Sequence, residues 1–169
     1  MAKLYYRYGA MSSSKTANAI MVKHNYAERG QKALLVKPRV DLRDGLHTMK
    51  SRSGLCEECV LFDEIDIDAV RAHEYDCIIV DEAQFLTKQE VLFLTDVVDL
   101  YNVPVICYGL RADFSGSFFP GSQWLMAWGY HRGDQDHLLV RAQGHLQRPS
   151  RREGRHHQSR RAGRARRGR

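Results

Sequence analysis

The stretch of sequence that decides the fold is residues 4–16, LYYRYGAMSSSKT. Its aromatic and apolar beginning predicts a short β-strand over residues 4–8, which Gly9 ends. A helix is predicted over residues 15–29, because its less polar side chains recur every three or four positions. These side chains are Ala17, Ile20, Met21, His24 and Ala27. A strand, a polar loop and a helix in this order form the first unit of an α/β sheet.

The chain up to residue 128 continues to alternate strand and helix patterns. Short apolar runs predict buried strands at residues 33–36, 77–80 and 103–109. Helical spacing predicts a helix over residues 88–101, and a weaker acidic pattern predicts one over residues 63–73. The polar residues 39–60 contain turn formers and are predicted to form a loop. The predicted fold class is therefore α/β, with a mainly parallel sheet, flanking helices and ligand sites at the carboxyl ends of the strands.

The charge of the chain is unevenly distributed. The 169 residues carry a formal net charge of +6, but residues 1–128 hold 14 basic and 17 acidic residues. Residues 129–169 hold 12 Arg, no Lys and 3 acidic residues, and helical or strand periodicity ends after Trp128. Two parts are predicted: a folded domain over residues 1–128 and an Arg-rich, disordered tail over residues 129–169.

Several classes of protein are disfavoured by composition. No apolar run approaches the roughly 20 residues that span a bilayer, so no membrane partner is expected. The N-terminus is too short and too polar for a secretory signal. The four cysteines do not resemble a disulfide framework, and Cys77 and Cys107 are predicted to be small buried apolar groups. The cytoplasm is the expected location.

Residues 9–16 nearly match the phosphate-binding pattern G-x-x-x-x-G-K-[ST] between a strand and a helix. In that pattern backbone N–H groups and the helix N-terminus hold phosphates, the lysine reaches the β- and γ-phosphates, and the hydroxyl binds Mg²⁺. Gly9, Lys15 and Thr16 match, whereas Ser14 occupies the second glycine position. A strained residue there costs about 1–3 kcal/mol. A serine-rich helix cap without a ligand is the alternative.

Residues 78–85, IIVDEAQF, place two carboxylates directly after an apolar strand. Asp81 is suited to organising Mg²⁺, and Glu82 is suited to accepting a proton from a hydroxyl nucleophile. The alternative is a solvated acidic pair at the start of a helix. Both motifs in this order favour an enzyme that uses ATP.

Cys56 and Cys59 form a C-x-x-C pair. A zinc site usually combines two such pairs, or one pair with two histidines, so a single pair does not identify one. No zinc ligand is predicted in this chain.

Seven segments together resemble the bacterial type II thymidine kinases. They are residues 8–16 (YGAMSSSKT), 24–30 (HNYAERG), 37–38 (KP), 51–55 (SRSGL), 80–87 (VDEAQFLT), 104–114 (PVICYGLRADF) and 121–123 (GSQ). The similarity extends over residues 4–128. It implies a P-loop kinase-like fold and the transfer of the ATP γ-phosphate to the 5′-hydroxyl of thymidine, with Mg²⁺, by an enzyme that is usually a homotetramer.

The resemblance also implies roles for individual residues. The implied ATP contacts are Gly9, Ala10, Met11, Ser12, Ser13, Ser14, Lys15, Thr16, Asp81, Glu82, Ala83 and Gln84. Thr16 and Asp81 would hold Mg²⁺, and Glu82 would be the catalytic proton acceptor. The implied walls of the thymine pocket are Phe85, Leu110 and Phe114, for which core packing is the alternative. Asp41 and Arg43 resemble a pair near the phosphates, although an isolated Asp and Arg in a polar loop are more typical of solvated charges.

The chain departs from the family after Trp128. The family continues with zinc ligands, two of them in a C-x-C, and with a loop that covers the thymine. Residues 129–169 contain no Cys, so the zinc expected for the family has no ligands there. Together with Ser14, this departure predicts weak ATP binding and little or no phosphorylation of thymidine by this chain.

The tail has a second explanation. Permitted codons for residues 129–148, translated one base later, give DTIEEIKTICSCGRKATFNA, which resembles the missing family segment and includes its C-x-C. We hypothesise that residues 129–169 are a frame-shifted translation, so that their arginines reflect a GC-rich gene. The alternative is an arm that binds nucleic-acid phosphates, which we do not expect to be functional.

Two other classes of function remain open at the sequence level. One is an inactive nucleotide-binding remnant or a nucleic-acid-associated protein that acts through its tail. The other is a P-loop ATPase of a different family, which the thymine-pocket residues and the segment YGLR disfavour.

Overall fold

A computed structural model describes residues 1–11 and 13–130. Ser12 and residues 131–169 lie outside the described residues, and so do the predictions that concern them. Within the described part no helix is long and apolar enough to cross a membrane.

The described chain forms a parallel sheet with helices on both faces. The helices are α1 (Lys15–Glu28), α2 (Ile67–Arg71), α3 (Lys88–Tyr101) and α4 (Pro120–Trp128). The strands are β1 (Leu4–Tyr8), β2 (Ala33–Lys37), β3 (Thr48–Lys50), β4 (Cys56–Glu58), β5 (Val60–Leu61), β6 (Cys77–Val80) and β7 (Val105–Gly109). Five strands lie in the order β1-β7-β6-β2-β5, every neighbouring pair is parallel, and β3 pairs with β4 in a separate antiparallel hairpin. The predicted α/β class is confirmed.

The strand register brings the chemically active loops to one edge of the sheet. Tyr8 at the end of β1 lies opposite Gly109 at the end of β7, and Val80 at the end of β6 pairs with Val36. The residues that follow these strands therefore start from the same edge. This edge is where the two sequence motifs meet.

Both faces of the sheet are covered, which is why its strands are almost continuously apolar. Alternate residues of β6 enter different cores: Ile78 and Val80 pack with α3 and α4, whereas Cys77 and Ile79 pack with α1. Cys77 and Cys107 are fully buried, as predicted.

Helix α1 is confirmed, but its buried face differs from the predicted one. Ala19 and Ile20 are buried against the sheet, whereas Met21, His24 and Ala27 are exposed. The spacing of the less polar residues located the helix. The side that faces the sheet includes Ala19, whose small side chain allows the helix to pack closely against the strands.

The prediction of a loop over residues 39–60 was wrong, because β3 and β4 lie within it and β5 begins at its last residue. These strands contain two or three residues each, which is too short for alternation to be recognised. Residues 51–55 form the turn of the β3–β4 hairpin.

Other boundaries were also corrected. The acidic segment predicted as one helix forms a 3₁₀ turn at Phe62–Glu64 and then α2, which Asp66 caps through two backbone N–H groups. Helix α3 has its predicted bounds, with a capping box between Thr87 and Glu90. Strand β7 begins at Val105 rather than at residue 103.

Helix α4 was not predicted, and the folded contacts continue beyond it. Phe119 precedes a proline at the first helical position, which is favourable there. After α4, the backbone of Tyr130 pairs with Leu4 and Tyr6 on the free edge of β1. The domain therefore extends at least to residue 130, two residues past the predicted boundary.

Candidate active site

A cleft of about 560 Å³ lies at the carboxyl edge of the sheet. It is strongly charged. Its basic lining residues are Lys15, Lys37, Arg43, Lys50 and Arg52, and its acidic ones are Asp41, Asp44, Asp81 and Glu82. Five cationic side chains beside four carboxylates suit a polyanionic ligand together with a metal ion.

The loop between β1 and α1 forms one wall of this cleft. The ammonium group of Lys15 donates to the carbonyl of Ala10 at 2.6 Å and to the Ser13 hydroxyl at 3.0 Å. Burial lowers the pKa of Lys15, while the negative charges of Glu82 and Asp81 oppose this change. Lys15 is thus a cation at the N-terminus of α1, close to the carboxylates of Asp81 and Glu82.

Ser14 has a left-handed backbone, with φ 58° and ψ 24°. It is the N-cap residue of α1, yet its side chain makes no capping hydrogen bond. A left-handed conformation costs a non-glycine residue of order 1 kcal/mol. The phosphate-binding pattern has glycine here because that conformation is required.

Asp81 and Thr16 form the candidate metal site. Asp81 is 4% exposed, and the Thr16 hydroxyl donates to its carboxylate. Burial raises the pKa of Asp81 to about 6, with the charge of Glu82 acting in the same direction and the Thr16 bond opposing it. A carboxylate and a hydroxyl are oxygen ligands that suit Mg²⁺, and a bound cation would restore the charged form of Asp81.

This pair is not a complete metal site by itself. Among the described residues, no group of three or more His, Cys, Asp or Glu side chains is arranged to hold a metal ion. Mg²⁺ commonly binds through one or two protein oxygens together with phosphates and water. The residues therefore fit a nucleotide-bound Mg²⁺ rather than an all-protein metal centre.

Glu82 lines the cleft with both carboxylate oxygens engaged. Oε1 accepts from Arg43, whose Nε also donates to Asp41 at 2.8 Å, and Oε2 accepts from Gln84 at 2.5 Å. These ionic contacts raise the pKa of Arg43. Glu82 itself has a left-handed backbone, with φ 50° and ψ 35°, which turns the chain sharply after β6. The structure brings Asp41, Arg43 and Glu82 together.

Not all residues of the predicted nucleotide stretch reach the cleft. Ala83 and Gln84 are buried, at 0% and 1% exposure, and do not line it. Gly9 and Ala10 contribute backbone around Lys15, and Met11 lines the cleft directly. Ser12 lies outside the described residues.

The three predicted thymine-pocket residues are not gathered in one place. Leu110 lines the cleft. Phe85 is half exposed and packs edge-on against Phe119, with ring centroids 5.8 Å apart. Phe114 is fully exposed, on a turn that the Asp113 carboxylate holds through the backbone N–H groups of residues 115 and 117.

Lys37 is a site residue that sequence reasoning left without a role. Its side chain is 1% exposed, and its ammonium group donates to the carbonyls of Gly45 and Thr48 at 2.5 and 2.9 Å. It therefore ties together both ends of the loop that carries Asp41 and Arg43. The available signal was a lysine at the carboxyl end of an apolar strand, directly before Pro38.

Cys56 and Cys59 differ in their surroundings. Cys56 is exposed on β4, whereas Cys59 is buried beyond that strand. Burial raises the pKa of the Cys59 thiol to about 11. Cys59 therefore remains a neutral thiol near pH 7.

Comparison with known proteins places these motifs in one family. A family model described as thymidine kinase matches residues 2–131. The thymidine kinase of Legionella pneumophila (strain Lens) is 44% identical over 135 residues, covering 76% of this chain and 65% of that protein. The thymidine kinase of Xanthomonas oryzae pv. oryzae (strain MAFF 311018) is 40% identical over 163 residues, covering 86% of this chain and 78% of that protein. The chain thus spans just under two thirds of the length of the Legionella relative.

One solved structure has a low similarity to the fold. AMPPCP-bound DnaA from Aquifex aeolicus matches with a TM-score of 0.46 and 13% identity, over 86% of this chain and 45% of that chain. A match at this level has no bearing on function.

Proposed function

Because this chain belongs to the thymidine kinase family, we propose that its cleft transfers the γ-phosphoryl group of ATP to the 5′-hydroxyl of thymidine, giving dTMP. The observation that carries this proposal is the meeting of Lys15, the Thr16–Asp81 pair and Glu82 at one edge of the sheet. These groups supply a phosphate-binding cation, a metal-side carboxylate and a base within one cleft.

The protein's part in the reaction is positioning and electrostatics. Phosphoryl transfer needs the acceptor hydroxyl, the phosphorus and the leaving oxygen in line, with the equatorial negative charge neutralised. Backbone N–H groups of Lys15 and Thr16 at the start of α1 would bind the phosphates, and Lys15 would stabilise the charge on the transferred group. Thr16 and Asp81 would hold Mg²⁺, which when bound neutralises the phosphate oxygens.

Glu82 is the proposed proton acceptor for the 5′-hydroxyl. Its carboxylate lines the cleft and has Arg43 at Oε1. Movement of the Arg43 guanidinium from Glu82 onto a phosphate oxygen would leave Oε1 available for the proton. A positioned base of this kind contributes about 10²- to 10⁴-fold to the rate.

The thymine contacts and the oligomeric state belong to the same proposal. Leu110 is the proposed apolar contact for the thymine ring, because it lines the same cleft as Glu82. Phe85 and Phe114 stay proposed walls of the thymine pocket on the resemblance alone, because neither lines the cleft. The homotetramer expected for the family is also a proposal for this chain.

The test of the function is a direct measurement of dTMP. The purified 169-residue chain, millimolar thymidine and radiolabelled ATP with Mg²⁺ are incubated, and labelled dTMP is separated by chromatography. We expect slow formation of dTMP, because residue 14 is strained and residues 129–169 lack the family's C-terminal sequence. The matched control Glu82→Gln keeps the size of the side chain, so it should bind ATP equally well and form at least about 10²-fold less dTMP.

Two results would contradict the proposal. One is release of phosphate from ATP without any dTMP, which indicates an ATPase. The other is equal dTMP formation by the parent chain and Glu82→Gln.

The proposal for the tail is tested at the level of the gene. We propose that residues 1–128 are the ATP-binding domain and that the sequence after Trp128 is out of frame. Sequencing the gene across the codon for Trp128 should reveal a shifted frame that encodes the C-x-C segment. A single frame whose codons do not encode that segment one base later would refute the hypothesis, and salt-dependent DNA binding lost on deletion of residues 129–169 would favour a nucleic-acid arm.

A further inference from the structure

Gln84 links the proposed base to the wall of the substrate cleft. Its side chain is 1% exposed and reaches in two directions from the 3₁₀ turn Ala83–Phe85. Oε1 accepts from the backbone N–H of Leu110 at 3.0 Å, and Nε2 donates to Oε2 of Glu82 at 2.5 Å. A buried amide with partners at both ends is held in one orientation.

The direction of this amide is fixed by chemistry. A backbone N–H only donates, so the atom of Gln84 that faces Leu110 is the oxygen. The amide nitrogen therefore faces Glu82, where a carboxylate can only accept. Gly109 leaves room for this arrangement, because a Cβ there would lie 2.7 Å from Oε1 of Gln84 and 3.1 Å from its backbone nitrogen.

The backbone of Leu110 is also held at its carbonyl group. Its carbonyl accepts from the Ser122 hydroxyl at 2.5 Å and lies 2.9 Å from the Tyr6 hydroxyl. Burial raises the pKa of Tyr6 to about 12, so this hydroxyl stays protonated at physiological pH. The hydrogen bonds thus run from Tyr6 on β1 and Ser122 on α4, through the backbone carbonyl and N–H of Leu110, to Gln84 and Glu82.

We propose that Gln84 is a positioning residue for the base rather than a contact for ATP. It holds Oε2 of Glu82 and thereby directs Oε1 toward Arg43 and the cleft. It also fixes the distance between Glu82 and Leu110, the side chain proposed to contact thymine. This inference rests on the proposed function only for its kinetic consequence, since the contact itself exists independently of catalysis.

The kinetic test uses Gln84→Glu. This substitution keeps an oxygen toward the Leu110 N–H and replaces only the donor toward Glu82. We expect kcat for dTMP formation to fall about 10- to 100-fold, as for a catalytic group displaced by about 1 Å, with the Kd for ATP unchanged. The control Gln89→Glu adds the same charge at an exposed position of α3 and should leave kcat unchanged. A loss of ATP affinity with unchanged kcat would overturn the proposal and make Gln84 a nucleotide contact.

A second test does not depend on activity. Combining Gln84→Glu with Glu82→Gln exchanges the amide and the carboxylate, so a donor and an acceptor face each other again. In urea unfolding, the midpoint lost in Gln84→Glu should be at least half recovered in the double variant. If Gln84→Glu does not fold, folding of the double variant counts as this recovery.

The contact between Gln84 and Glu82 would be disproved if the losses in the urea midpoint were strictly additive. A double variant no better folded than Gln84→Glu would disprove it as well. If the parent chain makes no dTMP, the proposed function fails, and the exchange experiment still decides the role of Gln84 in holding Glu82.

Discussion

Two strand-to-helix junctions carry the proposed chemistry, and each contains a residue with a strained, left-handed backbone. The side chain of that residue is held by its neighbours at only one of the two junctions. Ser14 follows β1 at φ 58°, and Glu82 follows β6 at φ 50°. The carboxylate of Glu82 is held by Arg43 and Gln84, and the residues on either side of it are buried. Ser14 is exposed and makes no side-chain capping bond.

The left-handed backbone has a different consequence at each residue, because only the Glu82 side chain makes contacts that depend on it. At residue 82 the left-handed turn places a carboxylate that three other side chains depend on, since Arg43 connects it to Asp41. At residue 14 the same turn serves only the backbone, so the side chain adds cost without a contact. Relief of strain should therefore have opposite effects at the two junctions.

The largest effect is expected for Glu82→Gly. Glycine adopts φ 50° without strain, but the substitution removes the base and the carboxylate that Arg43 and Gln84 both contact. The rate of dTMP formation should fall about 10²- to 10⁴-fold in a radiolabel assay. The comparison would break if Glu82→Gly retained the activity of the parent chain, because the turn rather than the carboxylate would then matter.

The next effect concerns the pH dependence of stability at the buried junction. The pKa of Asp81 in the folded protein, about 6, lies above the ordinary value of 3.8. The folded state therefore binds more protons than the unfolded state between these values, so this group makes the protein less stable as pH rises from about 4 to 6. The loss amounts to at most about 3 kcal/mol.

Urea unfolding at a series of pH values measures this effect. The variant Asp81→Asn should lack this part of the slope, while Asp44→Asn, at an exposed position of the cleft, should keep it. Identical slopes in the parent chain and in Asp81→Asn would show that Asp81 does not titrate in this range.

A smaller effect is expected for Ser14→Gly. Removal of the Cβ at φ 58° should stabilise the folded loop by about 1 kcal/mol. ATP binding becomes tighter, by up to about fivefold, only to the extent that the loop leaves this conformation when ATP is not bound. Calorimetric titration with ATP checks this, and Ser13→Gly is the neighbouring control. Weaker binding by Ser14→Gly would mean that the serine side chain contributes a contact to the nucleotide.

The smallest effect is expected for Phe114→Ala. Because this ring is fully exposed, its removal should change the free energy of unfolding by no more than about 0.5 kcal/mol. By contrast, Leu110→Ala, beside the Gln84 link, should be destabilising. A large loss of stability in Phe114→Ala would indicate that the ring packs against the protein in solution.

The sequence by itself determined the α/β class, the three long apolar strands, the two long helices and the two motifs. These features depend on local signals: continuous apolar runs, helical spacing and a glycine, lysine or carboxylate at a strand end. The short strands β3, β4 and β5 were missed, because they contain two or three residues each, too few positions for a period. The acidic helix predicted over residues 63–73 is reduced to a 3₁₀ turn and the five-residue α2. The proline-initiated α4 was missed as well.

Only the tertiary structure decided which residues of those motifs meet. Parallel pairing of β1 with β7 and of β7 with β6 brings residues 9–11, 13–16, 81–84 and 110 to one edge, although they are distant in the chain. The same packing turned Gln84 from the cleft onto Leu110 and left Phe114 exposed. A side chain's direction depends on contacts that the chain makes only after folding, so residue type and spacing named the chemistry, and the fold selected its partners.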